Sequence, residues 1–579
     1  MPSPTPNPKI PTPKTTDETI KETFESIVIA FILAFIFRAY VVEAFIIPTG
    51  SMAPTLLGEH VALRCEQCGY DFAADQSGAP GQRTREQFTS APCPMCKYPQ
   101  PVPRNRPTQT GDRLLVQKYV YNLHEPTRWD VVVFKNPQRL NENGTPGPKT
   151  NYIKRIVGLP NEALYLIDGN VYVRPYDQPN APWRIARKTD PHENRHWEKI
   201  QRAVWQPIYH SQYVPLDHGR ATPPEEGNGF NDRGRQFDWT CPWVPPSEQV
   251  AQWDVGNAED GWKRSYKFEP PEASRYDEYA IHIGELNFNW AEYHGRGTFY
   301  AYNALTGGQG VVGRQPIEDI RLAATVEPHE AGVRFELEST TRLDAEVERV
   351  AAQFFSHGQI KLLRRNANGD VEIDSTQTNT PLSAHAATPI ELWIVDQEVL
   401  VWVDGEVVIR HTFDLSLDEL KQRVPPQDRP DVSIRVLGGS ATLHAVELDR
   451  DIAYTPSLSS NLQVATFGAM RRAANGRLLE TPPIAIRRGR YFVLGDNSPI
   501  SSDGRFWGDV QPWIEKRMFE EAEHWEPLPG YPFARDYAHV VPRGLMVGRA
   551  FFIYFPAPYA ASRDGNQILP NFGDMRFVH

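Results

Sequence analysis

One long apolar run near the N-terminus constrains this 579-residue chain more than any other feature. The run covers 27–37 and continues past Arg38 to Ile47. A helix needs about 20 residues to cross a bilayer, so the segment can span if the Arg38 side chain extends to the interface. We predict a transmembrane anchor over 26–47, preceded by a disordered cytoplasmic segment over 1–25 that is rich in Pro, Thr and Lys. The alternative is a cleaved signal peptide.

A candidate nucleophile follows this anchor directly. Gly50-Ser51-Met52 places a serine hydroxyl beside the predicted membrane surface. Serine attacks a carbonyl only after a base removes its proton, and the chain contains no convincing Ser/His/Asp set. Lys154 lies in a strand-like stretch rich in Ile and Val, where desolvation lowers the pKa of a lysine and favours its neutral amine. Ser51 and Lys154 are therefore a candidate nucleophile and base.

Three further segments accompany this pair in a fixed order. They are Gly111 to Lys118, Trp129 to Phe134, and Gly495 to Arg505. With the anchor, the serine and the lysine, they resemble bacterial signal peptidase I, the membrane-bound Ser/Lys protease that cleaves signal peptides from exported proteins. The resemblance covers roughly residues 20–60, 108–175 and 485–555.

The resemblance implies a role for each residue of the candidate site. Ser51 matches the nucleophile and Lys154 the general base, while Thr49 and the backbone N–H of Ser51 match the oxyanion donors. Ser501 matches the serine that orients the lysine amine. The residues that match structural supports of the site are Met52, Gly495, Asp496, Asn497, Asp503 and Arg505. From local chemistry alone, Thr49 could be only a turn residue and Ser501 only a loop cap.

The same resemblance implies partners and location. Signal peptides with small residues at the first and third positions before the cut are the expected substrates, and catalysis needs no cofactor. The catalytic domain is expected on the extracytoplasmic side of the bacterial cytoplasmic membrane, anchored in the lipid bilayer by one span. The net charge of −11 argues against a nucleic-acid partner.

Two Cys-x-x-Cys pairs lie in an insertion over 65–107. Four thiolates on two tight turns suit a tetrahedral structural zinc ion, whereas disulfides between the two pairs are the alternative on the oxidising side of a membrane. A fifth cysteine, Cys241, stands alone and is expected to pack or stay free. The candidate metal ligands are Cys65, Cys68, Cys93 and Cys96.

A much larger insertion separates the lysine from the Gly-Asp-Asn segment. Short alternating strands with the turn dipeptides Asn368-Gly369 and Asp404-Gly405 predict a β-sandwich over 269–455. It is weakly similar to concanavalin/laminin-G-like jelly rolls, which often bind glycans or proteins. Glu372 and Asp374 approximate part of a glycosidase motif, but Gln377 replaces the second glutamate and an amide cannot act as a general acid. We therefore expect a binding module for a glycan or protein.

The predicted fold is mainly β: an antiparallel catalytic core behind one transmembrane helix, interrupted by a zinc knuckle and a jelly-roll sandwich. The expected divisions are 1–25, the N-terminal segment; 26–47, the anchor; 48–64, 108–175, 485–508 and 543–579, the catalytic core; 65–107, the knuckle; 176–268, an irregular Pro/Trp-rich insertion; 269–455, the sandwich; and 509–542, a further insertion.

Two other functions compete with a signal peptidase. A membrane-tethered scaffold would bind glycan or protein through the sandwich and carry a relic protease core, but the intact serine and lysine argue against decay. A self-cleaving Ser/Lys protease of the repressor type would carry a DNA-binding head where this chain has its anchor. Cleavage of a model preprotein by the purified protein, but not by its Ser51→Ala variant, separates a signal peptidase from both.

Overall fold

The structure is a computed structural model. It describes residues 16–66, 68–75, 90–95, 99–102, 108–137, 151–213, 243–256, 265–270, 283–288, 318–343, 346–422, 429–454, 469–472, 478–479, 481–507, 539–560 and 568–579. Several sequence predictions fall outside these ranges. They concern the segment 1–15, Cys96, Cys241 and most of the insertion 509–542.

The described residues contain four α-helices and thirty-five strands. The helices are α1 Thr16–Tyr40, α2 Val120–Leu123, α3 Trp197–Val204 and α4 Leu417–Gln422. Before α3, the strands are β1 Val42–Ile46, β2 His60–Arg64, β3 Asp71–Asp75, β4 Ser90–Pro92, β5 Pro99–Pro101, β6 Arg113–Gln117, β7 Val131–Lys135, β8 Asn151–Gly158, β9 Glu162–Ile167, β10 Asn170–Pro175 and β11 Arg184–Ile185.

The next strands build the sandwich: β12 Gln206–His210, β13 Trp243–Val244, β14 Trp253–Gly256, β15 Ser265–Phe268, β16 Ile283–Phe288, β17 Ile320–Pro328, β18 Arg334–Leu343, β19 Glu346–Phe354, β20 Gln359–Asn366, β21 Gly369–Gln377, β22 Thr388–Val395, β23 Glu398–Val403, β24 Glu406–Thr412, β25 Val432–Leu437 and β26 Ala441–Arg450. The last strands are β27 Ala469–Arg472, β28 Leu478–Leu479, β29 Ile484–Ile486, β30 Arg490–Leu494, β31 Val541–Pro542, β32 Met546–Phe555, β33 Tyr559–Ala560, β34 Ile568–Leu569 and β35 Arg576–Phe577.

From Thr23 onward the N-terminal helix α1 is mainly apolar, and this part leaves its side chains exposed. Its segment Thr23–Val41 spans 19 residues with a mean hydropathy of 2.0, and none of it is buried against the protein. This segment has the length and composition of a membrane span. The helix ends at Tyr40, earlier than the predicted anchor, because residues 42–46 pair with β6 as strand β1. The apolar run is therefore shared between a helix and the edge of a sheet.

Two sheets form the part of the fold that carries the candidate site. The first has the order β1-β6-β32-β7-β8-β30-β31, with β35 added to β32. The second has the order β11-β10-β9-β27-β28, with β29 added to β9. All these pairings are antiparallel except that of β27 with β9. Buried side chains of β7, β8, β9 and β30 share one hydrophobic cluster, so the two sheets pack on a common core.

The large insertion is a two-sheet β-sandwich. One sheet has the order β14-β15-β26-β17-β22-β23-β24, with β12 on β26, and the other has the order β13-β16-β25-β18-β19-β20-β21. The apolar residues at alternate positions of β17 and β18 enter one core. Asp404 and Gly405 both have positive φ, 51° and 79°, as a type I′ hairpin turn requires.

The sandwich begins earlier in the chain than the alternation of its strands predicts. Strands β12 to β15 lie in 176–268, the segment that the sequence leaves irregular. These strands are only two to five residues long, too short to carry a readable alternation. Glu372 lies on the edge strand β21 and forms a 2.7 Å hydrogen bond with Lys361, as an exposed strand face predicts.

Buried contacts join the sandwich to the two sheets that carry the candidate site. Tyr454, just after the last sandwich strand, is part of the hydrophobic cluster of those two sheets, and its N–H donates to the carbonyl oxygen of Gly169. Lys188 places its ammonium 2.8 Å from Asp396 and 2.8 Å from Asp451, and all three side chains are buried. The two parts share a core and an ion-pair cluster.

A third carboxyl group, that of Asp319, completes this ion-pair cluster. Its oxygens lie within 4.8 Å of those of Asp396 and Asp451. Burial, reinforced by the two neighbouring carboxylates, raises the pKa of Asp319 to about 8. Burial also raises the pKa of Asp451 to about 6, although Lys188 opposes that shift. Asp319 therefore holds a proton at neutral pH.

Candidate active site

A tight turn presents Ser51. Residues Gly50–Met52 form a single 3₁₀ turn after an extended Thr49, and Ser51 is only 9% exposed. The turn rests directly on the backbone of Gly58, because a Cβ at that position would lie 2.0 Å from the carbonyl carbon of Thr49. Only glycine allows this approach. Packing of the Gly58 backbone against Thr49 and Gly50 therefore holds the serine turn in place.

Lys154 reaches Ser51 from the centre of the sheet. It lies on β8, opposite Val132 of β7, and its side chain is buried. Its Nζ is 2.5 Å from Oγ of Ser51. Met52 and Ile153 belong to the hydrophobic cluster beside this contact. The structure thus brings the predicted nucleophile and base into hydrogen-bond contact in a largely desolvated place.

Thr49 and Ser501 lie beside this pair in different ways. Oγ1 of Thr49 is 3.4 Å from Oγ of Ser51. Oγ of Ser501 is buried and has no hydrogen-bond partner among the described residues. It lies next to Gly495, where a Cβ would fall 2.2 Å from it. The predicted contact between Ser501 and the lysine amine is therefore not formed in this structure.

The turn that contains Gly495 clamps the serine loop. The N–H of Asn497 donates to the carbonyl oxygen of Ser51 at 3.1 Å, and Nδ2 of Asn497 donates to that of Gly50 at 3.0 Å. A Cβ on Gly495 would lie 2.4 Å from the carbonyl oxygen of Ser51. Both carbonyl groups of the turn around the nucleophile are thus held by one asparagine.

Asp503 and Arg505 form a buried pair behind this turn. Nε and Nη2 of Arg505 each donate to Asp503 at 2.8 Å, and Asp503 accepts the N–H of Gly495 at 3.0 Å. Arg505 also donates to Oγ of Ser498 at 2.7 Å. Both members of the pair are fully buried, so the pair orders the turn rather than facing a substrate.

Residues that the sequence prediction did not include connect the lysine strand to the serine loop. The guanidinium of Arg155 donates to Asp496 at 2.8 and 2.7 Å, and Oγ1 of Thr55 donates to the same carboxylate at 2.5 Å. Burial acts to lower the pKa of Arg155, but Asp496 raises it overall. A buried arginine requires a partner for its charge. An arginine in a strand rich in Ile and Val was therefore the sequence signal for such a pair.

Asp112 is another residue that the sequence prediction did not include. Its carboxylate accepts the N–H groups of Leu57 and Ala557, each at 2.8 Å, and so ties the serine loop to the end of β32. Burial raises the pKa of Asp112, while these two N–H groups oppose the shift. The Gly-Asp dipeptide after the knuckle therefore has a packing role.

Three of the four predicted metal ligands lie together. The Sγ atoms of Cys65, Cys68 and Cys93 are all within 4.8 Å of one another, and all three residues are buried. Sγ of Cys68 is 3.6 Å from Sγ of Cys93, which is too long for a disulfide. Thiolates bound tetrahedrally at 2.3 Å from zinc lie about 3.8 Å apart. The described thiols therefore fit a zinc ion.

Comparison with known proteins finds similarity in the region around the lysine. Residues 100–219 match the family model of signal peptidase, peptidase S26. The resemblance to bacterial signal peptidase I is confirmed. Signal peptidase I of Rickettsia typhi is 27% identical over 158 residues, covering 27% of this chain and 45% of that protein. A probable signal peptidase I-1 of Synechocystis is 26% identical over 153 residues, covering 26% of this chain and 51% of that protein.

The chain thus spans about half the length of the signal peptidases it matches. Among solved structures, a carbohydrate-binding module from Bacillus subtilis is 9% identical with a TM-score of 0.21, covering 36% of this chain and 95% of the module. A family 16 glycoside hydrolase associated with mixed-linkage glucan in Bacteroides ovatus is 9% identical with a TM-score of 0.23, covering 36% and 93%. Likenesses this weak do not support an inference about the ligand of the sandwich.

Proposed function

We propose that this protein is a membrane-anchored serine endopeptidase that cleaves signal peptides with Ser51 as nucleophile and Lys154 as general base. The observation that carries the proposal is the 2.5 Å contact between Nζ of Lys154 and Oγ of Ser51. Both side chains are buried, and desolvation favours the neutral amine that a base requires. The match to signal peptidase supplies the substrate class.

The reaction is acyl transfer in two steps. The neutral amine of Lys154 takes the proton of Ser51, and Oγ attacks the scissile carbonyl carbon to form a tetrahedral oxyanion. The leaving amine departs with the proton returned by Lys154, which leaves an acyl-serine. Lys154 then takes a proton from water, the hydroxide attacks the ester, and Oγ recovers its proton as the signal peptide is released.

Two donors are proposed to stabilise the oxyanion: the N–H of Ser51 and the hydroxyl of Thr49. Oγ1 of Thr49 lies 3.4 Å from Oγ of Ser51, close enough for both groups to contact one substrate carbonyl group. Ser501 is proposed to orient the lysine amine once a substrate is bound. Met52, Gly495, Asp496, Asn497, Asp503 and Arg505 are proposed to support the site.

The substrate site is proposed to lie at the outer surface of the bacterial cytoplasmic membrane. The apolar part of α1, Thr23–Val41, would cross the bilayer once and leave Ser51 about ten residues beyond it. Tethering raises the effective concentration of membrane-bound signal peptides at the site. Small residues at the first and third positions before the cut are the proposed specificity.

The cysteine cluster is proposed to hold one structural zinc ion. Cys65, Cys68 and Cys93 are close enough to share a tetrahedral ion, and Cys96 completes the second Cys-x-x-Cys pair as the fourth ligand. Zinc would supply a covalent junction in the fold and no step of the reaction.

Cleavage of a model preprotein by the purified full-length protein in lipid vesicles tests the function. We expect a single cut after a small residue, identified by N-terminal sequencing of the product, and no cut with Ser51→Ala. Ser383→Ala, a change at an exposed serine of the sandwich, is the matched control and should cleave normally. Absence of cleavage by the wild-type protein would favour the scaffold alternative.

A further inference from the structure

The cysteine insertion joins the catalytic core next to the segment that packs against the serine turn. Its two ends meet as a β-bridge, in which the N–H of His60 donates to Gln109 at 3.2 Å and the N–H of Gln109 donates to His60 at 2.7 Å. Both residues are buried. The bridge lies nine positions after Ser51 in the chain. Any movement of the insertion is therefore transmitted first to the segment that supports the serine turn.

Two glycines make this support stiff. A Cβ at Gly58 would lie 2.0 Å from the carbonyl carbon of Thr49 and 2.5 Å from the N of Gly50. A Cβ at Gly111, in the segment that leads from Gln109 to β6, would lie 2.1 Å from the carbonyl oxygen of Ile47. Backbone therefore packs on backbone on both sides of the bridge. Such contacts cannot yield by side-chain rotation.

The thiols lie at the far end of the strand that starts at this bridge. Strand β2 runs from His60 to Arg64, and Cys65 follows it at once. A tight turn closes there, because the N–H of Gly69 donates to Cys65 at 2.9 Å and the N–H of Cys65 donates to Tyr70 at 2.9 Å. Strand β2 therefore connects Cys65, at one end, to the segment that packs against the serine turn, at the other.

The sandwich holds the thiol end in place. Cys65, Cys68, Cys93 and Met95 share one buried cluster with residues of the sandwich, and Sδ of Met95 accepts the N–H of His210 on β12 at 3.1 Å. The knuckle is therefore wedged between the sandwich and the serine loop. This placement links the large insertion to the chemistry of the site.

We propose that a zinc site built on Cys65, Cys68 and Cys93 positions the nucleophile: the metal fixes β2 against the sandwich, and β2 holds Gly58 against Thr49 and Gly50. This inference rests on the proposed function for its kinetic consequence, but not for its structural one. Without the metal the knuckle loses the ion that joins Cys65 and Cys68 to Cys93, and Ser51 is no longer held against Lys154. Displacements of about 1 Å in such a site can cost about 10²-fold in rate.

Zinc removal from the purified full-length protein tests this positioning role. We expect about one zinc per chain by elemental analysis before chelation and four newly reactive thiols after it. After chelation, kcat should fall about tenfold or more while KM changes by less than about threefold. Added zinc should restore kcat. Full kcat in the metal-free protein, or two disulfides in place of metal, would overturn the proposal.

Amide hydrogen exchange provides a readout that does not depend on activity. Removal of zinc should speed exchange over 50–58 and leave that of β7, in the centre of the sheet that carries Lys154, unchanged. If the loaded protein cleaves nothing, the proposed function fails, yet this measurement still decides whether the metal holds the loop. Unchanged exchange over 50–58 would refute the positioning role whatever the activity.

Variants separate the effect of the contact between Gly58 and the serine turn from the effect of zinc binding. Gly58→Ala should keep its zinc and lose kcat, because the new methyl group displaces the backbone of Thr49. Gly573→Ala is the matched control, since a Cβ there meets nothing within 4 Å. Cys65→Ser should lose both zinc and kcat, whereas Cys241→Ser, outside the two pairs, should retain both. Normal kcat in Gly58→Ala would break the proposed connection even if zinc proves necessary for folding.

Discussion

Nζ of Lys154 lies 2.5 Å from Oγ of Ser51, although 103 positions separate the two residues in the chain. The contact makes the two side chains interdependent, because the serine needs a base and the lysine has no other proposed function at this place. Kinetic effects of changing either residue should therefore overlap.

Ser51→Ala and Lys154→Ala should each lower kcat for preprotein cleavage by about 10⁴-fold or more, and the double variant should be little worse than either single one. Lys154→Arg should also fail, because guanidinium does not release its proton at working pH. Lys135→Ala, at the exposed end of the neighbouring strand β7, is the control and should remain active. Substantial cleavage by any of the three single-site variants at Ser51 or Lys154 would rule out this mechanism.

The rate of cleavage should depend on pH in one direction. A base must be unprotonated to act, so kcat/KM should rise as pH increases and the amine of Lys154 loses its proton, and it should be lost on the acidic side. The profile is measured with a short peptide substrate whose own charge does not change over the range. A flat profile with chemistry rate-limiting would exclude lysine as the base.

Gly495→Ala should abolish cleavage while leaving the sandwich folded. The added Cβ would lie 2.2 Å from Oγ of Ser501 and 2.4 Å from the carbonyl oxygen of Ser51, so the serine turn must shift. Gly573→Ala serves again as the control in the same assay, where it should match the wild type. Wild-type kcat in Gly495→Ala would show that the turn tolerates displacement.

Arg155→Met should destabilise the catalytic sheets by about 3–5 kcal/mol, because it leaves the carboxylate of Asp496 buried without its partner. The comparison is Lys361→Met, which breaks an exposed pair with Glu372 and should cost much less, because water screens an exposed pair. Urea unfolding followed by tryptophan fluorescence measures both. Equal costs for the two changes would mean that the buried pair contributes no more than an exposed one.

The ion-pair cluster between the sandwich and the catalytic sheets predicts a pH-dependent stability. Asp319 has a pKa of about 8 in the folded protein, above the value of about 3.9 for an unfolded chain, so the folded state binds the extra proton between these values. Stability therefore falls as pH rises through this window, by up to about 1.4 kcal/mol per pH unit for one proton. The pKa of Asp451, about 6, confines its own contribution to the lower part of the window.

Asp319→Asn removes this titration and should lose less stability than the wild type between pH 6 and pH 8, a range taken from those two pKa values. Asp177→Asn, at an exposed aspartate, should follow the wild type. The measurement is the urea midpoint at several pH values. A wild-type slope identical to that of Asp319→Asn would mean that Asp319 is already ionised at pH 6.

Features that depend on local chemistry can be predicted from short stretches of sequence. The apolar length of the anchor, the hairpin turn at Asp404 and Gly405, and the pairing of each Cys-x-x-Cys follow from residues within a few positions of one another. The site residues Ser51 and Lys154 were predicted from short motifs and from the resemblance those motifs carry. Their contact is a structural observation; their roles remain predictions.

Contacts between distant segments become visible only in the folded protein. The bond between Arg155 and Asp496 joins residues 341 positions apart, and no local pattern predicts such a partner. Strands β12 to β15 became part of the sandwich because their aromatic residues fill its core, although each strand is too short to alternate visibly. The hydroxyl of Ser501 lies beside Gly495 rather than on Lys154 for the same reason: side-chain packing between separate segments, and not the spacing of residues along the chain, sets where each group points.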